Sequence, residues 1–180
     1  PPQESIQGTQ WWTSYQPVSY KLDSKLGTEA EFKNMVQQCS AAGVGIIADV
    51  VLNQTTGADV AAGDQKGVAG SEYNGSTGSY PGFATKQYPD GITAADFHSC
   101  TKNISDYTNQ KEVQECRLSS MWDFNSESEK VQDIQSDYLV KLWNLGVRGF
   151  RMDAVKHIHT DSMKAIKEKF AKKIGKNAND

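Results

Sequence analysis

The 180-residue chain has no long hydrophobic segment, few cysteines and no marked excess of either charge. No apolar run approaches the roughly 18 residues that are needed to cross a bilayer. The 19 lysines and arginines are dispersed among 22 acidic residues, so the chain has no basic patch of the kind that binds nucleic acid. We therefore expect neither a membrane nor a nucleic acid among its partners. The chain starts at Pro1 without an initiator methionine or signal peptide, which indicates a processed or shortened protein.

Only three cysteines are present, and their spacing fits no zinc-binding pattern. Cys100 and Cys116 close a short loop in a polar, glycine-rich region, where a disulfide would stabilise most. The spacing leaves open whether this bond forms, but the bond would indicate a secreted protein. Cys39 lies on the apolar face of a predicted helix, as a buried thiol often does, and a bond to another cysteine also remains open.

Two helix-to-strand units can be recognised along the chain. In the first, Thr28 and Glu31 predict a capping box, and Gly43 predicts the end of the helix. Residues 44–51 (VGIIADVV) then form an almost continuous apolar run, which predicts a strand covered on both faces. In the second, Ser126 and Glu129 predict another capping box, and Gly146 ends an apolar helical stripe.

Residues 147–153 predict the second buried strand, and residues 160–173 predict a third helix. Alternating helices and buried strands indicate an α/β fold with a parallel sheet. Residues 54–122 show no periodicity and predict a small irregular subdomain inserted after the first strand. Two strands cannot close a sheet, and a (β/α)8 barrel takes roughly 250 residues. Spacing alone therefore leaves open a small open α/β domain or part of a barrel.

Residues 149–157 (GFRMDAVKH) alternate apolar with charged side chains in a way that a plain core strand does not. Burying Arg151 next to Asp153 is costly unless the two pair or take part in chemistry. Taken alone, this pattern is more often a structural ion pair than a catalytic one.

Three segments together carry a resemblance to a known family: residues 11–20 (WWTSYQPVSY), 49–54 (DVVLNQ) and 149–157. With them the sequence resembles the α-amylases of glycoside hydrolase family 13. The resemblance implies a partial (β/α)8 TIM barrel containing barrel strands three and four with their helices. It divides the chain into a barrel segment (1–53), an inserted calcium-binding domain (54–122) and a second barrel segment (123–180).

The resemblance also implies the site residues. Asp153 matches the catalytic nucleophile, and Arg151 matches the arginine that keeps this carboxylate ionised. Substrate-binding residues would be Trp11, Trp12, Tyr15, Gln16, Gln54, Lys156 and His157. Paired tryptophans are also compatible with core packing. Gln54 replaces the histidine of the family pattern, and losing that hydrogen bond would cost about 1–3 kcal/mol in the transition state.

A structural Ca²⁺ is implied as well. Asn53 and Asp123 match its side-chain ligands, and the backbone carbonyls of Gln114 and His157 match the other protein ligands. All four donors are oxygens, as a hard cation prefers.

The function implied is retaining hydrolysis of internal α-1,4-glucosidic bonds in starch or glycogen by a secreted, monomeric enzyme. A retaining enzyme needs a second carboxylic acid about 5 Å from the nucleophile. None of the glutamates in this chain lies in a matching motif, so we expect these 180 residues alone to be inactive. Two alternatives remain: a non-catalytic glucan-binding protein, for which Gln54 is the only indication, and a transglycosylase on the same scaffold.

Overall fold

The computed structural model describes residues 1–57, 65–75 and 91–179. Its helices are α1 (Glu29–Ala41), α2 (Gln110–Glu115), α3 (Glu129–Asn144) and α4 (Thr160–Lys173). Its strands are β1 (Ile47–Val50), β2 (Gln54–Gly57), β3 (Gln65–Lys66), β4 (Glu72–Tyr73), β5 (Met121–Asp123) and β6 (Gly149–Met152). Short 3-10 helices occupy Trp11–Tyr15, Ala94–Asp96 and Val155–His157. No helix in these ranges is both long and apolar enough to cross a membrane.

The central element is the parallel pair of β1 and β6, in which Asp49 lies opposite Arg151. Helix α1 precedes β1 and α3 precedes β6, so the predicted helix-to-strand units and parallel pairing are confirmed. One apolar core joins both units, and Tyr20 stacks on Tyr138 within it at a ring distance of 4.5 Å. Because the two strands run in the same direction, the residues that follow them meet at one edge of the sheet.

The two predicted helix caps have different outcomes. The capping box of α1 is confirmed, since the Thr28 hydroxyl accepts from the Glu31 amide and the Glu31 carboxylate accepts from the Thr28 amide. The capping box predicted from Ser126 and Glu129 is wrong. Helix α3 begins two residues later than that pattern requires, with Ser128 as an N-cap whose side chain makes no capping bond. The Ser126 carbonyl instead accepts a hydrogen bond from the Gln132 side chain.

The prediction that the first strand is covered on both faces is also wrong. Strand β1 is shorter than residues 44–51, and the side chain of Ile47 at its start is 71% exposed. Among the described residues β1 pairs only with β6, so its other edge carries no neighbouring strand. The apolar run therefore predicted the presence of a strand correctly, but not its length or the exposure of its first side chain.

Residues 58–64 and 76–90 of the predicted subdomain lie outside the described residues, and the described part of 54–122 contains short ordered pieces. Antiparallel pairing of β2 with β5 brings Gln54 opposite Asp123 and closes the base of this region. Antiparallel β3 and β4 form a second small ladder. A disulfide joins Cys100 to Cys116, and Cys39 is a free, half-buried thiol.

Gly146 provides a direct test of this packing. Its φ is +110°, and a Cβ at this position would lie 2.8 Å from a methyl group of Val36 in α1. We expect Gly146→Ala to lower the free energy of unfolding by about 2–4 kcal/mol, since backbone strain and overpacking add. Denaturant unfolding measures the loss.

Gly175→Ala is the matched control. Gly175 has a φ of +73°, but no atom lies within 4 Å of the Cβ position. We expect only the backbone cost of about 1–2 kcal/mol there. Equal losses in the two variants would show that Gly146 does not hold α1 against the turn that precedes β6.

Candidate active site

The carboxyl ends of β1 and β6 hold a connected network of charged and polar side chains. Arg151 donates from Nη1 to Asp49 Oδ1 at 2.8 Å and to Asp153 Oδ1 at 3.0 Å. The hydroxyl of Tyr15 donates to Asp49 Oδ2 at 2.7 Å. One guanidinium thus bridges two carboxylates that come from adjacent parallel strands.

The backbone explains why Asp153 lies there. Its amide donates to the carbonyl of Val50, which continues the parallel ladder by one residue. The chain then turns at Ala154, a non-glycine residue with a φ of +48°. Such a conformation is uncommon for alanine, and it ends the strand immediately after the carboxylate. Asp153 therefore lies at the strand end with its side chain turned toward Arg151.

The expected burial of this pair is only partly correct. Asp153 is 18% exposed, but the side chain of Arg151 is 57% exposed. Arg151 has few neighbours because β6 pairs only with β1 among the described residues. The hydrogen bond from Arg151 to Asp49, with the carboxylate's charge, raises the pKa of Arg151. The same carboxylate accepts from Tyr15, which raises the pKa of that phenol. At neutral pH the arginine is charged and the tyrosine is a neutral donor.

The aromatic segment forms an open surface beside this network. Trp11 and Trp12 lie on the 3-10 helix at Trp11–Tyr15, and their side chains are 77% and 40% exposed. The ring of Trp11 meets that of Tyr15 edge to face, at a distance of 5.9 Å. Neither tryptophan packs into the core, so the core-packing interpretation is wrong for both. A flat apolar face that is open to solvent is available for stacking.

The two glutamines are buried and bonded within the protein. The side-chain carbonyl of Gln16 accepts from the Thr56 hydroxyl at 3.1 Å and from the Gly57 amide at 3.2 Å. The amide of Gln54 donates to the carbonyl of Tyr15 at 3.1 Å, whereas its Oε1 is buried without a partner. Both side chains hold the aromatic segment against β2, and a contact of either with substrate stays a prediction.

Lys156 and His157 follow Asp153 but face different surroundings. Lys156 is exposed, with its ammonium 5.1 Å from the ring centre of Tyr107. His157 is buried, and its Nδ1 lies 2.8 Å from the carbonyl of Val113 in α2. Burial lowers the pKa of His157, so its ring is neutral at neutral pH. The ring ties the irregular region to the strand end, and a contact with substrate stays a prediction.

The four residues predicted to hold a metal ion come together in two pairs. Asn53 directly precedes β2 and Asp123 ends β5, and the amide of Phe124 donates to the carbonyl of Asn53. Gln114 lies in α2 next to the turn that contains His157, and its side chain reaches the carbonyl of Ile158. Asp123 contacts His98, which contacts Glu127, and Glu127 in turn contacts His159, two residues after His157.

The donor chemistry at the first pair fits a hard cation. Asp123 is 2% exposed, and burial raises its pKa to about 6, although the hydrogen bond with His98 acts in the opposite direction. Neither Asp123 Oδ1 nor Asn53 Nδ2 makes a hydrogen bond of good geometry, although Asn53 helps to lower the carboxyl pKa. A buried carboxylate oxygen without a partner is costly, and a bound divalent cation would offset that cost.

Comparison with known proteins identifies the family. A family model described as the alpha amylase catalytic domain matches residues 9–178. The chain belongs to the alpha-amylase family. It therefore belongs to a family of glycoside hydrolases, and the resemblance expected from the sequence motifs is confirmed.

Relatives within the alpha-amylase family match nearly all of this chain. The alpha-amylase of Streptomyces violaceus is 39% identical over 169 residues, which are 94% of this chain and 27% of that protein. The alpha-amylase of Pecten maximus is 39% identical over 168 residues, or 92% of this chain and 32% of that protein. The chain thus spans 27–32% of the length of these relatives.

The solved structure of alpha-amylase I from Eisenia fetida superposes with a TM-score of 0.82 at 37% identity. It covers 92% of this chain, which corresponds to 33% of that protein. A variant of the same enzyme with equal similarity was solved in complex with maltohexaose. The α/β arrangement described above is therefore the fold of part of an alpha-amylase.

Sequence reasoning missed several members of this site. Asp49 was noted only as part of a motif, yet it receives hydrogen bonds from both Arg151 and Tyr15. The parallel arrangement of two similar strands was the signal, because it places their last polar residues side by side. His98, Glu127 and His159 were also missed, and no local pattern around them indicates that they meet.

Proposed function

We propose that this chain is part of a retaining alpha-amylase that hydrolyses internal α-1,4-glucosidic bonds of starch or glycogen. The observation that carries the proposal is the bridge from Arg151 to both Asp49 and Asp153 at the carboxyl ends of two parallel strands. In barrel enzymes this edge of the sheet holds the active site. A fixed cation beside a half-buried carboxylate is what a carboxylate nucleophile requires.

In the proposed mechanism an Asp153 oxygen attacks the anomeric carbon of the glucosyl unit. The bond from that carbon to the leaving oxygen breaks, and a carboxylic acid elsewhere in the enzyme gives its proton to that oxygen. Water then attacks the same carbon and releases Asp153, so two inversions give net retention. Arg151 stabilises the carboxylate before attack and after release, since its charge stays fixed throughout.

Asp49 and Tyr15 act as positioning residues in this proposal. Asp49 holds the other side of the guanidinium, and Tyr15 fixes the Asp49 carboxylate through its second oxygen. Gln54 then ties the backbone of Tyr15 to β2. These contacts keep the aromatic segment and the nucleophile in one geometry, which catalysis requires to within fractions of an ångström.

We propose an α-glucan as the substrate, bound along the aromatic segment. The maltohexaose complex of the Eisenia fetida enzyme supports this choice, since that protein has the same fold over 92% of the present chain. The exposed faces of Trp11 and Trp12 suit the apolar faces of glucose rings. Lys156 is an exposed cation three residues after Asp153 and is proposed to donate to sugar hydroxyls.

We propose that Asn53 and Asp123 bind Ca²⁺ through their side chains, with the carbonyls of Gln114 and His157. The ion would hold the irregular region against the strand ends and would contribute order rather than chemistry. Residues 1–53 and 123–180 would then supply barrel strands three and four, and residues 54–122 the inserted domain. The pairing of β2 with β5 at the base of that insertion supports the division. The disulfide supports secretion, and we propose a monomer.

A glucan-binding protein without catalysis is the second candidate, and the burial of Gln54 bears on it. Because its amide is engaged by Tyr15, Gln54 cannot supply all the hydrogen bonds of the family histidine. The test is product analysis with a malto-oligosaccharide and the full-length protein. Shorter oligosaccharides that first appear as the α-anomer support the amylase, whereas binding without cleavage supports the alternative. A transglycosylase would give longer products.

The isolated 180 residues provide a separate test. We expect no measurable starch hydrolysis from them, because the proton donor to the leaving oxygen has no matching motif in this chain. Purified chain and full-length enzyme are compared at equal molar concentration by release of reducing sugar. Hydrolysis by the isolated chain that is lost in its own Asp153→Asn variant would show that the donor lies among these residues.

A further inference from the structure

A second cluster of ligand-type side chains lies next to the proposed calcium site. His98, Glu127 and His159 each place a nitrogen or a carboxylate oxygen within 4.8 Å of the others. They come from three separate segments: the one after the 3-10 helix at Ala94–Asp96, the turn before α3, and the N-cap of α4. We propose that this cluster binds a divalent transition metal ion of the Zn²⁺ type.

The distances suit a tetrahedral ion. Glu127 Oε2 lies 3.0 Å from His98 Nε2, and Glu127 Oε1 lies 3.0 Å from His159 Nε2. Ligand atoms about 2.0–2.2 Å from a tetrahedral zinc lie roughly 3.3 Å apart. Both separations are close to that value, and all three ligand atoms lie within 4.8 Å of one another, so the two imidazoles would move closer together when the ion binds.

The orientation of His98 is set by a contact typical of zinc sites. Its Nδ1 lies 2.6 Å from Oδ2 of the buried Asp123. With the proton on Nδ1 donated to this carboxylate, Nε2 would be free to bind an ion placed between Glu127 and His159 in place of its own contact with Glu127. A carboxylate behind a histidine ligand fixes the tautomer and raises the basicity of the ligand nitrogen. Asp123 would therefore hold Ca²⁺ through one oxygen and orient a zinc ligand through the other.

His159 provides an independent observation. Its Nε2 is shielded from solvent and makes no hydrogen bond of good geometry, although two carboxylates face it. Glu127 lies at 3.0 Å, and Glu115 Oε1 lies at 3.7 Å. A shielded ring nitrogen whose nearby carboxylates make no well-aligned hydrogen bond is unfavourable, and a metal ion at this point would satisfy it. Glu115 is then available as a fourth ligand.

The donor set separates this cluster from the calcium site. Two imidazole nitrogens and one or two carboxylates suit Zn²⁺, whereas Ca²⁺ takes oxygen ligands. Asn53 and the carbonyls of Gln114 and His157 belong to the oxygen site and are not needed here. We therefore expect the two ions to bind together rather than to compete.

The test is calorimetric titration of ZnCl₂ into the purified, chelator-stripped full-length protein in the presence of saturating Ca²⁺. We expect one Zn²⁺ per chain, and at least about tenfold weaker binding in both Glu127→Gln and His159→Ala. Glu129→Gln is the matched control, because Glu129 lies two residues further on and is exposed. It should bind Zn²⁺ like the wild type. Circular dichroism checks that each variant is folded.

Two further results bear on the same proposal. Co²⁺ should give the strong visible absorption of a tetrahedral site in the wild type and lose it in His159→Ala. Asn53→Ala should keep its Zn²⁺ binding even if its Ca²⁺ binding is lost. The absence of saturable Zn²⁺ binding, equal affinity in Glu127→Gln and the wild type, or displacement of Zn²⁺ by Ca²⁺ would each overturn the site. None of these readouts depends on amylase activity.

Discussion

If the proposed mechanism holds, Asp153→Asn in the full-length protein is expected to lower kcat on starch by a factor on the order of 10⁴ or more. Asparagine keeps the size of the side chain and can still contact Arg151, but it cannot form the covalent ester with the anomeric carbon. Losing a covalent nucleophile removes a whole step of the mechanism rather than one contact. Reducing-sugar release gives kcat, and binding of a malto-oligosaccharide by calorimetry shows that the cleft is intact.

Asp161→Asn is the control for this change. Asp161 is an exposed carboxylate in the first turn of α4, eight positions further along the chain. We expect its kcat to stay within about twofold of the wild type, since it makes no contact with the network. Asp153→Asn that retained substantial activity would contradict the assignment of the nucleophile.

Removal of Ca²⁺ is the second change for which we expect a large effect. An ion present at about 1,000 times its dissociation constant stabilises the folded state by about 4 kcal/mol. For a cooperative unit of about 150–250 residues the loss corresponds to a fall in Tm of about 8–16 °C, and the fall is smaller for a larger cooperative unit. Differential scanning calorimetry of the full-length enzyme with and without chelator measures it, and Asp123→Asn should behave like the chelated enzyme.

The selectivity of the proposed site for Ca²⁺ is checked by adding Ca²⁺ or Mg²⁺ back to the chelated enzyme. Ca²⁺ should restore the Tm of the chelated wild type but not that of Asp123→Asn, and Mg²⁺ should restore little, since it demands a tighter octahedral site. Asp137→Asn, on the exposed face of α3, should respond to Ca²⁺ like the wild type. An unchanged Tm after chelation would contradict the proposed role of Asn53 and Asp123.

The sequence was most informative where local chemistry determines local structure. The α4 helix has the bounds that its pattern predicted, residues 160–173, because its apolar side chains repeat at helical spacing. The Thr28 cap and Gly146 also have the predicted roles, since each depends on neighbours a few residues away. Strand surroundings were less predictable, because the exposure of Ile47 depends on what lies beside β1 and not on its own residues.

Site geometry depends on contacts between distant parts of the chain. Arg151 meets Asp49 across 102 positions, and Tyr15 meets Asp49 across 34. The motifs identified Arg151 and Asp153, but only the parallel register shows that Asp49 shares the same guanidinium. His98 and His159 are also distant in sequence, and they meet because the irregular region packs against the segment that follows β6. Such contacts leave no periodic signal in a single sequence.

Covalent trapping tests the central proposal most directly. The full-length enzyme is incubated with an activated fluorinated maltosyl substrate that forms the glycosyl-enzyme faster than water releases it. Trypsin then cuts after Arg151 and Lys156, and the resulting peptide of residues 152–156 contains a single carboxylate side chain, Asp153. We predict that mass spectrometry will find the sugar on this peptide and not in Asp153→Asn. A sugar attached to another carboxylate, or turnover without any covalent adduct, would contradict the assignment.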